Sequence, residues 1–284
     1  MLGDGRQRRR PVSLGTSRMI HYHGLPITPG SSAIRAVKAG HAFVSYAHRQ
    51  QLDIAVSHCQ SFALDNGAFS AWKSGTPVTD WLPFFEWADE VSRVPNCDFV
   101  VIPDVIDGDL NAQSALIGRF LQHFGHRGMS IGAPVFHLHE PIAHAKYLSR
   151  AWQRVCIGSS GDYSTVGTPE WWERMYEVVG AMCDEFGRPN CKIHGLRMLN
   201  PNVFCRLPLA SADSTNIGRN IGIDKNWRGT YIRRSKDTRA LIMRERIEDT
   251  NSVPVLDIRY IGNRHPRFDQ ILSQFMEFDG EVEL

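Results

Sequence analysis

Six short apolar runs along the chain end in acids or imidazoles. Asp65-Asn66-Gly67 follows SFAL, Pro103-Asp104 follows FVVI, and His137-Leu138-His139-Glu140 follows GAPVF. Gly158-Ser159-Ser160-Gly161-Asp162 follows RVCI, His194-Gly195 follows CKI, and Asp213-Ser214-Thr215-Asn216 follows PLASA. Carboxyl groups brought to one place can divide labour, one attacking carbon while another moves a proton. Imidazoles among them can orient those acids or shuttle protons. Each ending also has a purely structural reading. Asp65-Asn66-Gly67 is a good turn sequence, Asp109 stands where a helix should begin, and His137 and His194 could be buried, hydrogen-bonded scaffold residues. Six such endings together predict a polar small-molecule pocket.

The elements that would carry these residues alternate. β-rich runs are expected at Met19–His23, His41–Tyr46, Ser61–Asp65, Asp98–Asp104, Ile131–Leu138, Arg154–Gly158, Cys191–Leu196 and Pro208–Asp213. Several are apolar on both faces, as strands of a buried parallel sheet are. Helices read between them: from a cap at Thr79-Asp80 to Ser92, over Asp109–Phe124 with Gly125 as a stop, from Thr168-Pro169 to about Phe186, over Asp237–Glu248, and over His265–Phe278. Eight β/α alternations in about 250 residues predict a (β/α)₈ barrel, whose sites lie at the carboxyl ends of its strands. An open doubly wound sheet is the alternative. Residues 1–18 read as a flexible extension, and residues 19–284 as one barrel domain.

Composition narrows the function. The 284 residues are 42% hydrophobic and 22% charged, with a net charge of +2, so the chain as a whole is neither disordered nor a polyanion-binding tail. No apolar run approaches the ~20 residues that span a bilayer. The six cysteines, Cys59, Cys97, Cys156, Cys183, Cys191 and Cys205, form no CxxC or CxC pair. Free thiols in a reducing cytoplasm are expected. The phosphate-binding GxGxxG and GxxxxGK[ST] loops and the GxSxG nucleophile elbow are missing. Asp104, Asp107 and Asp109 approach a calcium-loop spacing, but Ala115 stands where its glutamate belongs. His137-x-His139 could ligate zinc only if the strand has ended by His139, because alternate strand residues point apart. No metal and no cofactor are expected.

The order of the motifs resembles the tRNA-guanine transglycosylase superfamily, and within it the DNA-directed 7-deazaguanine transglycosylases of phages and bacteria. The resemblance covers roughly residues 61–222 and is carried best by Ala212-Asp213-Ser214-Thr215-Asn216-Ile217-Gly218-Arg219-Asn220. It implies that Asp213 is the nucleophile. Leu64-Asp65-Asn66-Gly67-Ala68-Phe69 is similar to the family's Asp-Ser-Gly-Gly-Phe segment and implies proton transfer by Asp65. Ile102-Pro103-Asp104 matches the acid that reads the guanine edge. His137 stands where the family has a base-binding Gln, Gly158-Ser159-Ser160 where backbone holds the base, and His194 in the family's His-x-x-Gly region. Phe69 or Tyr163 would stack on the base. The chain has no cysteine after Cys205, so the zinc-bearing subdomain that tRNA enzymes carry after the last strand is expected to be missing. That favours DNA, or a free nucleoside or nucleotide, over tRNA.

Exchange of guanine for a 7-deazaguanine such as preQ₀ breaks the bond between C1′ and N9 through an oxocarbenium-like transition state. It calls for one carboxylate beneath C1′ and a second carboxyl group that gives and takes a proton. A polymeric substrate also needs phosphate contacts. Between Arg219 and Arg246 nine basic residues face three acids, a local charge of +6. Arg219, Asn220, Lys225, Arg228, Arg233, Arg234, Lys236 and Arg239 are the expected nucleic-acid contacts, with Trp227 and Tyr231 interleaved for stacking; a solvated helix face is the structural alternative. An N-glycoside hydrolase acting on free nucleosides and an inactive nucleic-acid-binding barrel remain open as other functions.

Overall fold

The structure is a computed structural model and describes residues 18–106, 108–222 and 235–257. Nine strands form one all-parallel sheet: β1 (Ile20–Leu25), β2 (His41–Ser45), β3 (Ser61–Asp65), β4 (Cys97–Val101), β5 (Gly132–Ala133), β6 (Val135–His137), β7 (Arg154–Gly158), β8 (Lys192–Gly195) and β9 (Ser211–Ser214). Their order is β5-β4-β3-β2-β1-β9-β8-β7-β6. The two ends of that order are consecutive in the chain, and Pro134 lies between them. The expected fifth strand, Ile131–Leu138, is therefore broken in two, and the pair closes the sheet into a (β/α)₈ barrel. The physical reason is proline, which has no N–H to give to a ladder. Its carbonyl still accepts from Cys156 N at 2.9 Å, and Ala133 O accepts from Ile102 N at 3.0 Å, so the joint is stitched on both sides.

Helices follow the strands: α1 (Gly30–Val37), α2 (Leu52–His58), α3 (Ala68–Lys73), α4 (Leu82–Val91), α5 (Leu110–Phe124), α6 (Gly128–Ile131), α7 (Ile142–Ala151), α8 (Pro169–Ala181), α9 (Pro201–Phe204), α10 (Asn216–Asn220) and α11 (Lys236–Glu248). Two expected start signals operate: Asp109 accepts from Ala112 N and Thr168 from Trp171 N. The cap expected at Thr79-Asp80 is displaced, with Trp81 at the N-cap of α4 and Asp80 Oδ1 accepting from Leu82 N at 3.0 Å. Ser235, not expected as a cap, accepts from Thr238 N at the start of α11. Gly125, with φ 55°, stops α5. One expected boundary is wrong: α8 ends at Ala181 rather than near Phe186. Asp184 Oδ1 accepts from Phe186 N and Arg188 N and folds the chain back, so that Cys183 pairs with Pro189 in an antiparallel bridge. A local side-chain turn outcompetes another helical turn there. The expected helix at 265–278 lies outside the described residues, as does nearly all of the 1–18 extension. No helix among the described residues is long and apolar enough to cross a membrane.

Strand alternation splits the apolar residues into two clusters. The larger packs between the strands and the helices and includes Leu64, Ile102, Ile157 and Ile193. The smaller fills the barrel interior with Tyr22, Phe43, Ala63, Phe99, Val101, Ala133, Val135 and Cys156. The interior series continues to the carboxyl ends of the strands as Asp65, His137 and Asp213, two residues beyond Ala63, Val135 and Ser211. A period of two thus delivers these side chains to the barrel mouth. Tyr22 pairs with both Asp213 and His41, and Asp65 with Ser45. This offset between the Asp213 and Asp65 levels is the stagger of tilted strands in a closed barrel.

Candidate active site

The mouth of the barrel holds a cavity of about 320 Å³, within the size range of small-molecule sites. Asp65, Asp104 and Asp213 all line it, together with Phe69, His137, Gly158, Ser159, Arg197 and Arg219. Three acids from different strand ends, Asp213 more than a hundred residues from the other two in sequence, therefore share one chamber.

Asp213 is the penultimate residue of β9 and is buried. Its Oδ1 accepts from Arg197 N at 2.9 Å and faces His194 Nε2 at 3.3 Å. Among the described residues no hydrogen bond reaches Oδ2. One oxygen is thus anchored, and the other is left for a ligand. The anchoring amide belongs to a residue with φ 60°, the left-handed region that a long side chain seldom adopts. That turn of the backbone aims the Arg197 N–H back at Asp213. The Arg197 guanidinium lies 3.8 Å from the centre of the Phe69 ring, a cation–π contact, and its Nη2 donates to Ser159 O at 3.3 Å.

Asp65 ends β3, and its Oδ2 accepts from Gly67 N at 3.1 Å. Gly67 has φ 78° and a Cβ there would lie 3.2 Å from Ala47, so the turn after β3 suits glycine. Burial pushes the Asp65 carboxyl up to about 7, against the pull of the neighbouring Ser45, and the negative charges of Asp213 and Asp104 push it the same way as burial. A carboxyl group at about 7 beside an anchored carboxylate is a division of roles by environment, the arrangement that lets one acid hold a proton and the other attack.

Asp104 is fixed from both sides. Asn66 Nδ2 donates to its Oδ1 at 2.8 Å, and His137 Nε2 lies 2.9 Å from its Oδ2. The other His137 nitrogen, Nδ1, lies 3.0 Å from Glu140 Oε1, and Glu140 Oε2 meets His144 Nδ1 at 2.8 Å. Burial opposes charge on His137, but the two carboxylates outweigh it and raise the imidazole to about 9. Glu140 resists burial for the matching reason and falls to about 2, through His137 and then His144. His137 therefore spends both N–H groups on protein carboxylates. It lines the cavity, but its work is to hold Asp104 rather than to bind a base through a free nitrogen.

Other expected site residues divide. Gly158 and Ser159 line the cavity. Ser160 does not: it is buried, and its hydroxyl pairs with His139 Nδ1 at 2.8 Å. His194 is fully buried beneath Asp213, stacked on Phe43 at 5.3 Å, so it touches the acid and not the chamber. Phe69 lines the cavity and Tyr163 does not. Of the expected nucleic-acid contacts, Arg219 stands exposed at the cavity wall, and Asn220 and Lys236 are exposed on α10 and α11. Arg239 is a correction: it is buried, and its Nε donates to Ile221 O at 2.8 Å, tying α11 to the end of α10. Lys225, Arg228, Arg233 and Arg234 lie outside the described residues, as does Asp107. Arg197, Lys73 and His48 also line the chamber and were not singled out in the sequence. Arg197 had a signal, since it follows the His194-Gly195 strand end by two residues. Among the described residues no group of three or more His, Cys, Asp or Glu could hold a metal ion.

The His137 pairing makes a stability prediction. Leucine at position 137 leaves Asp104 and Glu140 buried without their shared partner and should cost about 3–5 kcal/mol. The raised His137 contributes fully below its ordinary value of 6.5 and loses that contribution as pH rises through about 9. The lowered Glu140 contributes fully above 4.5 and loses it as pH falls through about 2. Urea unfolding of wild type and His137→Leu should show the largest gap between roughly pH 4.5 and 6.5 and a closing gap above pH 9. A gap independent of pH would refute the charged triad.

No protein-family model and no curated protein matches the sequence. Among solved structures, the chain is similar to a protein from Aquifex aeolicus VF5 described only as a structural study. That match has 9% identity and a TM-score of 0.49 over 83% of this chain and 94% of the other. It is also similar to tryptophan synthase subunit alpha from Campylobacter jejuni, with 12% identity and a TM-score of 0.40 over 71% and 88%.

Proposed function

We propose that this barrel exchanges the base at an N-glycosidic bond of guanine, replacing it with a 7-deazaguanine base through a covalent Asp213–sugar intermediate, with DNA as the substrate. The observation that carries the reading is the pairing of Asp213, anchored through Oδ1 alone, with Asp65, held near 7, in one chamber. Asp213 attacks C1′, the C1′–N9 bond breaks with its electron pair passing to the base, and Asp65 gives the leaving base its proton. The incoming base then returns a proton to Asp65, its nitrogen attacks C1′, and Asp213 leaves.

Asp104 supports guanine as the base. Each of its oxygens accepts one hydrogen bond from the protein and keeps a lone pair for the guanine N1–H and 2-amino group. Adenine offers no donor at either position, and a site with a buried acceptor left unpaired rejects such a ligand strongly. Phe69, backed by the Arg197 guanidinium, supplies a flat apolar wall for a base. Arg219 at the cavity wall and the surrounding basic segment support a phosphate-bearing substrate over a free nucleoside.

The test is direct exchange. Guanine-containing single-stranded and duplex DNA, tRNA and guanosine are each incubated with preQ₀, digested and assayed for the deazaguanine nucleoside. Appearance in DNA supports the reading. Release of free guanine from guanosine without insertion would point to a hydrolase instead.

A further inference from the structure

A chain of buried polar side chains runs up through the barrel from the amino ends of the strands to Asp213, and the exchange chemistry does not call on it. Tyr22 OH donates to Asp98 Oδ2 at 2.5 Å, and Arg154 Nη2 donates to the same oxygen at 2.9 Å. Arg154 Nη1 donates to Ser211 Oγ at 3.1 Å. Ser211 Oγ lies 2.8 Å from His194 Nδ1, and His194 Nε2 lies 3.3 Å from Asp213 Oδ1. Arg154, Ser211 and His194 are all buried, and the Arg154 guanidinium also packs on Phe99 at 4.2 Å. Burying so many polar groups beneath a catalytic mouth costs stability unless every one is satisfied, and satisfied chains of this kind rigidify what they end on.

The proton arrangement follows from the partners. The Ser211 oxygen receives a proton from Arg154, which can only donate. The serine hydroxyl proton is then free to point at His194 Nδ1. His194 Nε2 faces a carboxylate oxygen and must carry a proton there. Burial among Tyr22, Phe43 and Phe99 lowers the His194 imidazole, which keeps it neutral with one N–H. The only arrangement that satisfies every link has Nδ1 accepting from Ser211 and Nε2 donating to Asp213.

We propose that Ser211, held by Arg154, is a positioning residue that fixes His194 as its Nε2–H tautomer and so pins Oδ1 of Asp213, leaving Oδ2 to react. The kinetic part of the proposal rests on the base-exchange reading; the tautomer does not. Asp98, Arg154, Ser211 and His194 lie below Asp213 and do not line the cavity, so removing Ser211 should lower kcat while leaving KM in place.

The experiment uses the full chain labelled with nitrogen-15 histidine, the His194 ring signals being those lost in His194→Gln. Wild type should show a neutral ring protonated at Nε2 at pH 7. Ser211→Ala should fold, because the change only removes an oxygen. It should shift or broaden the His194 signals and lower kcat for exchange about tenfold at unchanged KM. Ser211→Thr, which restores the hydroxyl, should recover both; if its extra methyl prevents folding, the wild-type tautomer and the Ser211→Ala split still decide. A wild-type ring protonated at Nδ1, or a Ser211→Ala protein with unaltered ring signals and kcat, would overturn the proposal. Absence of exchange by wild type on every substrate would sink the functional reading alone, since the ring signals still report on the chain from Arg154 to Asp213.

Discussion

Replacing Asp213 by asparagine should reduce base exchange at least about a thousandfold while leaving the fold intact, because in the proposed reaction the carboxylate bonds to C1′ and an amide is a poor nucleophile. The substitution is nearly isosteric. The amide oxygen can still accept from Arg197 N and His194 Nε2, the two donors that hold Oδ1 in place. The loss should appear in kcat, with the Kd for guanine-containing DNA changed by less than a few fold. Exchange assays paired with a binding titration check this. A variant that exchanges bases at near the wild-type rate would remove Asp213 from the chemistry, and one that merely unfolds would show it in a thermal melt.

Asparagine at position 65 should separate catalysis from stability. The wild-type carboxyl sits near 7 chiefly through burial, with Asp213 and Asp104 adding repulsion. In the proposed reaction it carries the proton that releases the first base, so kcat/KM for the wild type should fall as pH rises through about 7. In Asp65→Asn that limb should vanish, and the remaining rate should be lower by a factor of about 10²–10⁴. The stability sign is opposite. A carboxyl whose folded value lies above its unfolded value of 3.8 binds more protons in the folded state, so the wild type loses stability as pH rises from about 4 to about 7. Asparagine carries no such charge. Asp65→Asn should therefore match the wild type near pH 4 and exceed it by on the order of 1–3 kcal/mol at pH 8. Melts at the two pH values test this; equal differences at both would contradict a partly buried Asp65 raised by desolvation and its acidic neighbours.

Much of the chamber was legible in the chain because it depends on a period of two. Asp65, His137 and Asp213 each continue the interior side of a short β-rich run, so strand alternation alone sends them to the mouth. Asp104 lies beyond the end of β4, yet Asn66 and His137 hold it there, and both of those belong to segments already flagged. The caps at Asp109 and Thr168 obey local chemistry that needs no tertiary knowledge. Arg197 was less visible, since its contribution is a backbone N–H presented by a left-handed turn, and no residue type announces that. The Asp98–Arg154–Ser211 chain was invisible for a different reason. These residues are the first or second of three separate strands, and only the register of the closed barrel brings them together. Arg239 shows the limit of charge counting. Nine basic residues in the 219–246 segment suggested nucleic-acid contacts, with a solvated helix face as the alternative, but this one packs inward on the Ile221 carbonyl. Pro134 could have been read as a break in its strand, because its missing N–H is a property of the residue itself.

In the proposed reaction Asp213 becomes covalently bonded to the sugar. Mass spectrometry of the protein denatured during reaction with guanine-containing DNA, in the absence of an incoming base, reads that bond directly. A nucleic-acid adduct is expected on the peptide carrying Asp213, absent from Asp213→Asn and discharged when preQ₀ is added before denaturation. A protein that exchanges or releases guanine with no adduct at any time, or with an adduct that persists in Asp213→Asn, would contradict it.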